Sequence, residues 1–152
     1  MFGHYKADAS TRVKVGVGVI LRDAQGRLLL EKRSDCGLWG FCGGKVDPGE
    51  SVTESAVREV REETGFDIRI VRMIGVYSDP DEGRVVRYPD NGEMVHLVDI
   101  ILEAEIAGGK LVKSHESEEL RFFAPDETPA EMCPPAQQPL KDYLEGLSAQ
   151  VR

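Results

Sequence analysis

The sequence predicts an α+β domain in which a mixed β-sheet carries helices packed against it. Two observations lead there. Segments rich in valine and isoleucine, several with the two-residue alternation of half-buried strands, are interrupted once, and followed once, by a stretch with helical spacing. The resulting order, strands then helix then strands then helix, lacks the regular alternation of a parallel sheet and suits a mixed one. A chain of 152 residues is long enough to bury a real core. Residues 1–152 are therefore read as one domain, with 1–12 (MFGHYKADASTR) as a polar, flexible N-terminal segment.

Taken in order, VKVGVGVILRD (13–23) alternates as a strand, residues 23–26 form a turn, and RLLLEKR (27–33) completes a hairpin. Residues 34–50 hold five glycines and a proline, which predicts a long loop with a short strand around Phe41. Such a loop inside a compact domain is usually functional. A helix follows: Ser51 and Glu54 make a capping box, and Gly65 stands where a C-terminal glycine belongs. Val52, Ala56, Val57 and Val60 supply its apolar face. Residues 66–78 read as a strand bent near Met73, 79–93 as a loop or loose hairpin, and 94–106 as a strand ended by Gly108–Gly109. Residues 119–125 read as a final strand and 139–151 as a C-terminal helix.

Composition narrows the function. A formal net charge of −8 disfavours nonspecific binding to nucleic acid or an anionic membrane. No run reaches the ~18 apolar residues of a membrane helix, and no apolar secretion signal is expected at the N-terminus. Three cysteines without CxxC spacing predict reduced thiols in the cytoplasm rather than zinc ligands or a disulfide framework. An acidic protein still handles phosphate compounds if metal cations stand between the two.

Glu59, Glu62 and Glu63, at i, i+3 and i+4, project from one side of the helix, while Arg58 and Arg61 point to other sides. Like charges at this spacing repel by a few tenths of a kcal/mol per pair. The bland alternative is a solvated acidic face. Three features favour a cation instead: the glycine-rich loop just before, a fourth carboxylate at Glu50, and the apolar stripe that fixes the helix. Hard oxygen ligands select magnesium or manganese.

GKVDPGESVTESAVREVREETGF resembles the Nudix hydrolase motif, G-x5-E-x7-R-E-U-x-E-E-x-G-U, where U is bulky and apolar. Gly44, Glu50, Arg58, Glu59, Val60, Glu62, Glu63, Gly65 and Phe66 fill every specified position. Trp39 before the Gly43–Gly44 pair and HESEELRFF are also similar to the family. Cys42 departs from it, standing where many relatives have proline, and is read as a small buried residue.

The resemblance implies an α/β/α sandwich with a mixed, partly barrel-like sheet, and it implies roles. Glu59 and Glu63 become metal ligands, Glu62 a ligand of a second metal or of a metal-bound water, and the Gly43 carbonyl a further ligand. Arg58 orients the glutamates, and Glu50 supports the site. Glu63 is expected on an exposed helical face. Glu116 in HESEEL is favoured as the base, or is an ordinary exposed acid. Magnesium is the implied cofactor, with manganese as substitute. Tyr77, Arg87 and Tyr88 are candidate substrate contacts, although the tyrosines could equally be core or rim. The implied activity is cleavage of the diphosphate linkage of a nucleoside diphosphate derivative such as ADP-ribose or a nucleotide sugar. A nucleoside triphosphate pyrophosphatase and a noncatalytic nucleotide sensor are the alternatives, and a homodimer is common among relatives.

Overall fold

In the computed structural model, which describes residues 1–152, the sheet is mixed and both of its faces carry a helix. The strands are β1 (Arg12–Arg22), β2 (Leu28–Arg33), β3 (Trp39–Gly40), β4 (Cys42–Lys45), β5 (Phe66–Tyr77), β6 (Val85–Arg87), β7 (Met94–Gly109), β8 (Ser117–Phe123) and β9 (Gln150–Val151). Helix α1 spans Val52–Thr64, α2 spans Pro134–Leu144, and Pro80–Glu82 form a single 3₁₀ turn. The main path runs β3-β2-β1-β7-β5-β9, with β4 on β1, β6 on β7 and β8 on β2. β1 and β7 are parallel, whereas β5 and β7 are antiparallel. The two ends of the path do not pair, so the sheet stays open rather than closing as a barrel.

Alternation along the strands divides the core. On β1, Val17, Val19 and Leu21 pack with Ala56 and Val60 of α1, and Ile20 packs with Ala136 and Leu140 of α2. On β2, Leu29 faces α1, while Leu28 and Leu30 face α2. Full burial of a side chain such as Val60 contributes about 1.5–3 kcal/mol. α1 is bounded as expected. Ser51 Oγ accepts from Glu54 N–H at 3.1 Å, Glu54 Oε2 accepts from Ser51 N–H at 2.7 Å, and Gly65 closes the helix in the left-handed region. β5 bulges between Met73 and Gly75, which is the expected bend.

Three expectations need correction. The glycine-rich segment contains two short strands, β3 and β4, on either side of Phe41. β6 gives the 79–93 region a strand of its own. α2 begins at Pro134, five residues earlier than expected, and ends at Leu144, so residues 150–151 pair with β5 instead of being helical. Pro134 and Pro135 suit a first helical turn, and Pro139 lies inside the helix. Proline at 139 has no N–H to give the Pro135 carbonyl four residues back. That carbonyl instead accepts Arg84 Nη2 at 2.7 Å, and the buried Arg84 also pairs with Asp99 at 2.6 Å. At the N-terminus, Phe2 packs on the α2-side core and the Met1 carbonyl accepts from Arg87 N–H.

Candidate active site

The motif loop and α1 bring acidic side chains against the α1 face of the sheet. Ala56, Val60 and Glu63 lie at i, i+4 and i+7, so Glu63 continues the apolar stripe that faces β1 and β4. It is therefore 6% exposed, not the exposed residue expected of it. Glu63 Oε2 accepts from Gly43 N–H at 3.0 Å, which ties the end of α1 to β4. Glu59 is mostly buried, while Glu62 stands in solvent. Two glycines permit this approach. A Cβ on Gly44 would come within 2.5 Å of Glu59 Oε1, and one on Gly43 would run into the Val17 carbonyl.

Arg58 does not point away from the carboxylates as its position suggests, because its long side chain reaches back over them. Nε and Nη2 grip Glu50 at 2.7 and 2.9 Å, and Nη1 donates to Glu59 at 3.0 Å and to Glu62 at 3.3 Å. Asp47 lies 3.4 Å from the same guanidinium. Arg61 does leave the cluster and pairs with Asp67. These contacts separate the acids electrostatically. The Arg58 fork holds Glu50 below the usual carboxylate range. Burial pushes Glu59 up, opposed by Arg58. Glu63 is pushed up to about 9, first by burial and then by the charge of Glu31, with the Gly43 N–H opposing.

Glu31 is the residue that sequence reasoning missed. It sits on β2 two positions after Leu29, hence on the α1 face, and is 7% exposed. Ser117 Oγ, from the start of β8, donates to its Oε1 at 2.8 Å. One potential ligand atom from each of Glu31, Cys42 and Glu63 lies within 4.8 Å of the others. Burial raises the Cys42 thiol well above its usual value, so it stays protonated and is a poor ligand for a hard cation. The available signal was a glutamate in RLLLEKR at a position whose two-residue neighbour faces the core.

Glu116 is brought to this region. Its backbone carbonyl accepts from Ser34 N–H and Oγ, and its charge contributes to the upward push on Glu31, Glu59 and Glu63. The three expected substrate contacts are not. Tyr77 is fully buried on the α2 side, where its hydroxyl donates to Asp142 at 2.8 Å, leaving no surface for a ligand. Arg87 and Tyr88 belong to β6 and the turn after it, with Arg87 in register with Met94 of β7. Gly43 stands opposite Gly18, which is opposite Ile101 of β7. Seven residues of β7 thus separate them, about 20 Å along the strand. Arg87 lies over the Tyr5 ring and Lys14 over the Tyr88 ring, so both are engaged locally.

Residues 12–144 match the NUDIX domain family. The chain belongs to the Nudix family. Among its relatives, a Bacillus subtilis (strain 168) protein with the provisional name 8-oxo-dGTP diphosphatase is 33% identical over 86% of this chain and 80% of its own length. An ADP-ribose pyrophosphatase of Methanocaldococcus jannaschii is 32% identical over 84% of this chain and 70% of its own. A solved NUDIX hydrolase from Nitrosomonas europaea superposes with a TM-score of 0.74 at 24% identity, covering 93% of this chain and 78% of that one. This Nudix chain is a hydrolase of phosphorus-containing acid anhydrides. None of its helices is long and apolar enough to cross a membrane.

Proposed function

We propose that this Nudix hydrolase uses magnesium, with manganese as substitute, to cleave the diphosphate linkage of a nucleoside diphosphate derivative such as ADP-ribose or a nucleotide sugar. The observation that carries the reading is the carboxylate set in which Glu63 is held by Gly43, Glu59 lies against Gly44, and Arg58 orients Glu59 and Glu62. These groups fit a hard divalent cation because they offer only carboxylate oxygens, and Glu63 is buried with no cationic partner. Glu59 and Glu63 would hold the metal, joined by the Gly43 carbonyl, and Glu62 would act toward a second metal or its water. Bound there, the metal supplies charge neutralisation and an acidified water.

The chain's own residues do the rest. Arg58 fixes the rotamers of Glu50, Glu59 and Glu62 through four hydrogen bonds, so the ligand oxygens are set before substrate arrives. Glu116, close enough for its charge to act on Glu31, Glu59 and Glu63, would accept the proton of the attacking water. The relative named for ADP-ribose supports a nucleoside diphosphate derivative as the first substrate class, and the relative named for 8-oxo-dGTP keeps a nucleoside triphosphate as the second. A noncatalytic sensor is disfavoured by the complete motif. The net charge of −8 disfavours a binder of nucleic acid or membranes, and three cysteines without CxxC spacing support a cytoplasmic enzyme.

Product analysis tests the reading. Purified protein with magnesium is offered ADP-ribose, nucleotide sugars, diadenosine polyphosphates, and normal and oxidised nucleoside triphosphates. Metal-dependent release of a nucleoside monophosphate from a diphosphate derivative, absent in Glu63→Gln, is expected. Release of pyrophosphate from triphosphates alone moves the assignment to the second class, and binding without turnover would favour the sensor.

A further inference from the structure

Four glutamate and aspartate residues are buried: Glu31, Glu63, Glu103 and Asp142. Two of them have cations. Glu103 receives Arg22 at 2.8 Å and Arg72 at 2.7 Å, and Asp142 receives Arg152 at 2.9 Å. Glu31 and Glu63 have none, and neither forms an ion pair with any Lys, Arg or His of the chain. Glu63 has the Gly43 N–H on Oε2, and Glu31 has the Ser117 hydroxyl on Oε1. The second oxygen of Glu31 receives no hydrogen bond from the chain, although the residue is 7% exposed. A buried carboxylate without a cationic partner is costly, and two side by side are costlier. The fold nevertheless points both at one spot from independent elements, β2 and α1, with potential ligand atoms within 4.8 Å.

We propose that Glu31 is a further metal ligand of this active site, holding a divalent cation jointly with Glu63 from the opposite side of the carboxylate cluster. Glu31 lies outside the motif, thirteen positions before its first glycine. A hard cation meets the open requirement of both side chains, since it supplies the missing positive charge and takes the unpartnered oxygen. Ser117 serves as a positioning residue: its hydroxyl, itself buried, fixes the Glu31 rotamer from the strand that follows Glu116. The neighbouring Cys42 fills space at the same spot without ligating. The inference rests on the metal requirement of the proposed pyrophosphohydrolase and on no particular substrate.

The test is metal binding itself. Manganese is titrated into chelator-treated full-length protein, and the free ion is counted by electron paramagnetic resonance. Glu31→Gln keeps the shape and the Ser117 contact, and Glu63→Gln, Ser117→Ala and Glu118→Gln are run beside it, the last as a control for lost charge in the same region. Glu31→Gln is expected to bind manganese at least tenfold more weakly, Ser117→Ala severalfold more weakly, and Glu118→Gln within twofold of the parent. Parental affinity in Glu31→Gln together with loss in Glu63→Gln would overturn the role of Glu31 and leave the metal centre standing. Parental affinity in both would overturn the inference and the metal-dependent function beneath it. Should Glu31→Gln fail to fold, Glu31→Asp keeps the charge but withdraws it by one methylene, and unchanged manganese affinity in that variant overturns the proposal equally.

Discussion

Arg58→Lys separates positioning from stability more cleanly than any other change at this site. Charge is conserved, so what is removed is the planar fork: two bonds to Glu50 at 2.7 and 2.9 Å, one to Glu59 at 3.0 Å and one to Glu62 at 3.3 Å. A lysine ammonium is a point charge on a flexible stem and cannot hold three carboxylates at once. Loss of a group that orients metal ligands typically costs 10–100-fold, about 1.4–2.8 kcal/mol of transition-state stabilisation. The effect on folding is smaller. Arg58 is 30% exposed, its pair with Glu62 is an ordinary i,i+4 surface contact, and because lysine keeps the charge the loss from these screened pairs is about 1 kcal/mol. Melting should therefore fall by no more than roughly 2–4 °C. Steady-state hydrolysis at several magnesium concentrations, with circular dichroism melting alongside, gives both numbers. The expected pattern is a tenfold or greater fall in kcat/KM, a raised magnesium requirement and a nearly parental Tm. Activity within threefold of the parent would refute the positioning role. Activity lost in step with a Tm drop beyond 10 °C would show that Arg58 holds the fold rather than the ligands.

Glu63→Gln should lower turnover by at least a hundredfold. In chelator-treated protein it should also change the pH dependence of melting. The parent's Glu63 is pushed up to about 9, so its contribution is fully present below the ordinary carboxylate value and is lost as pH rises toward 9, by at most about 1.4 kcal/mol per unit. The variant should melt higher than the parent at pH 8 and show a flatter profile, and identical profiles would sink the assignment. Gly44→Ala places a Cβ 2.5 Å from the movable Glu59 carboxylate, so kcat should drop tenfold or more with a Tm change of only a few degrees. Asp142→Ala leaves the Tyr77 hydroxyl unpaired in the core and frees Gln138 and Arg152. Thermal denaturation should register about 2 kcal/mol of lost stability, roughly 4–8 °C, with kcat within twofold because the site lies on the other face.

Local rules are readable wherever local chemistry decides the outcome. Ser51, Glu54 and Gly65 mark both ends of α1, and the strand alternation of residues 13–23 is visible in the order of the residues alone. The errors fall where distant partners decide. Pro139 looks like a helix start, because nothing nearby in sequence says that Arg84 will take the carbonyl its ring leaves free. Glu63 looks exposed on a helical wheel of charges, but Ala56 and Val60 rotate it inward, and only the contact with Gly43 of β4 shows how far. Tyr77 reads equally as a stacking platform or a core residue, and α2, which covers it while Asp142 takes its hydroxyl, decides for the core. Glu31 is the converse case. It reads as a strand residue with a stray charge, and its meaning depends on Glu63, which follows it by 32 positions in the sequence.

The charge distribution constrains the order in which the site can be filled. The cations flanking the carboxylates of α1 are already taken: Arg58 by Glu50, Glu59 and Glu62, Lys45 by Asp47, and Arg61 by Asp67. None of these three is free to receive a phosphate, and Lys113, which adjoins the end of α1 and enters no ion pair, gives its Nζ to the Ser117 carbonyl at 2.8 Å. Glu31, Glu63 and Glu116 concentrate acidic groups at one spot of a chain whose formal net charge is −8. A diphosphate anion approaching alone is repelled, both by the whole protein and by the spot where its reacting phosphorus must sit. Attraction appears only when divalent charge accompanies the substrate or precedes it. On the proposed metal-dependent reading, the acidity that looks ill-suited to a phosphate enzyme would make metal loading a condition of substrate binding as well as of the chemical step.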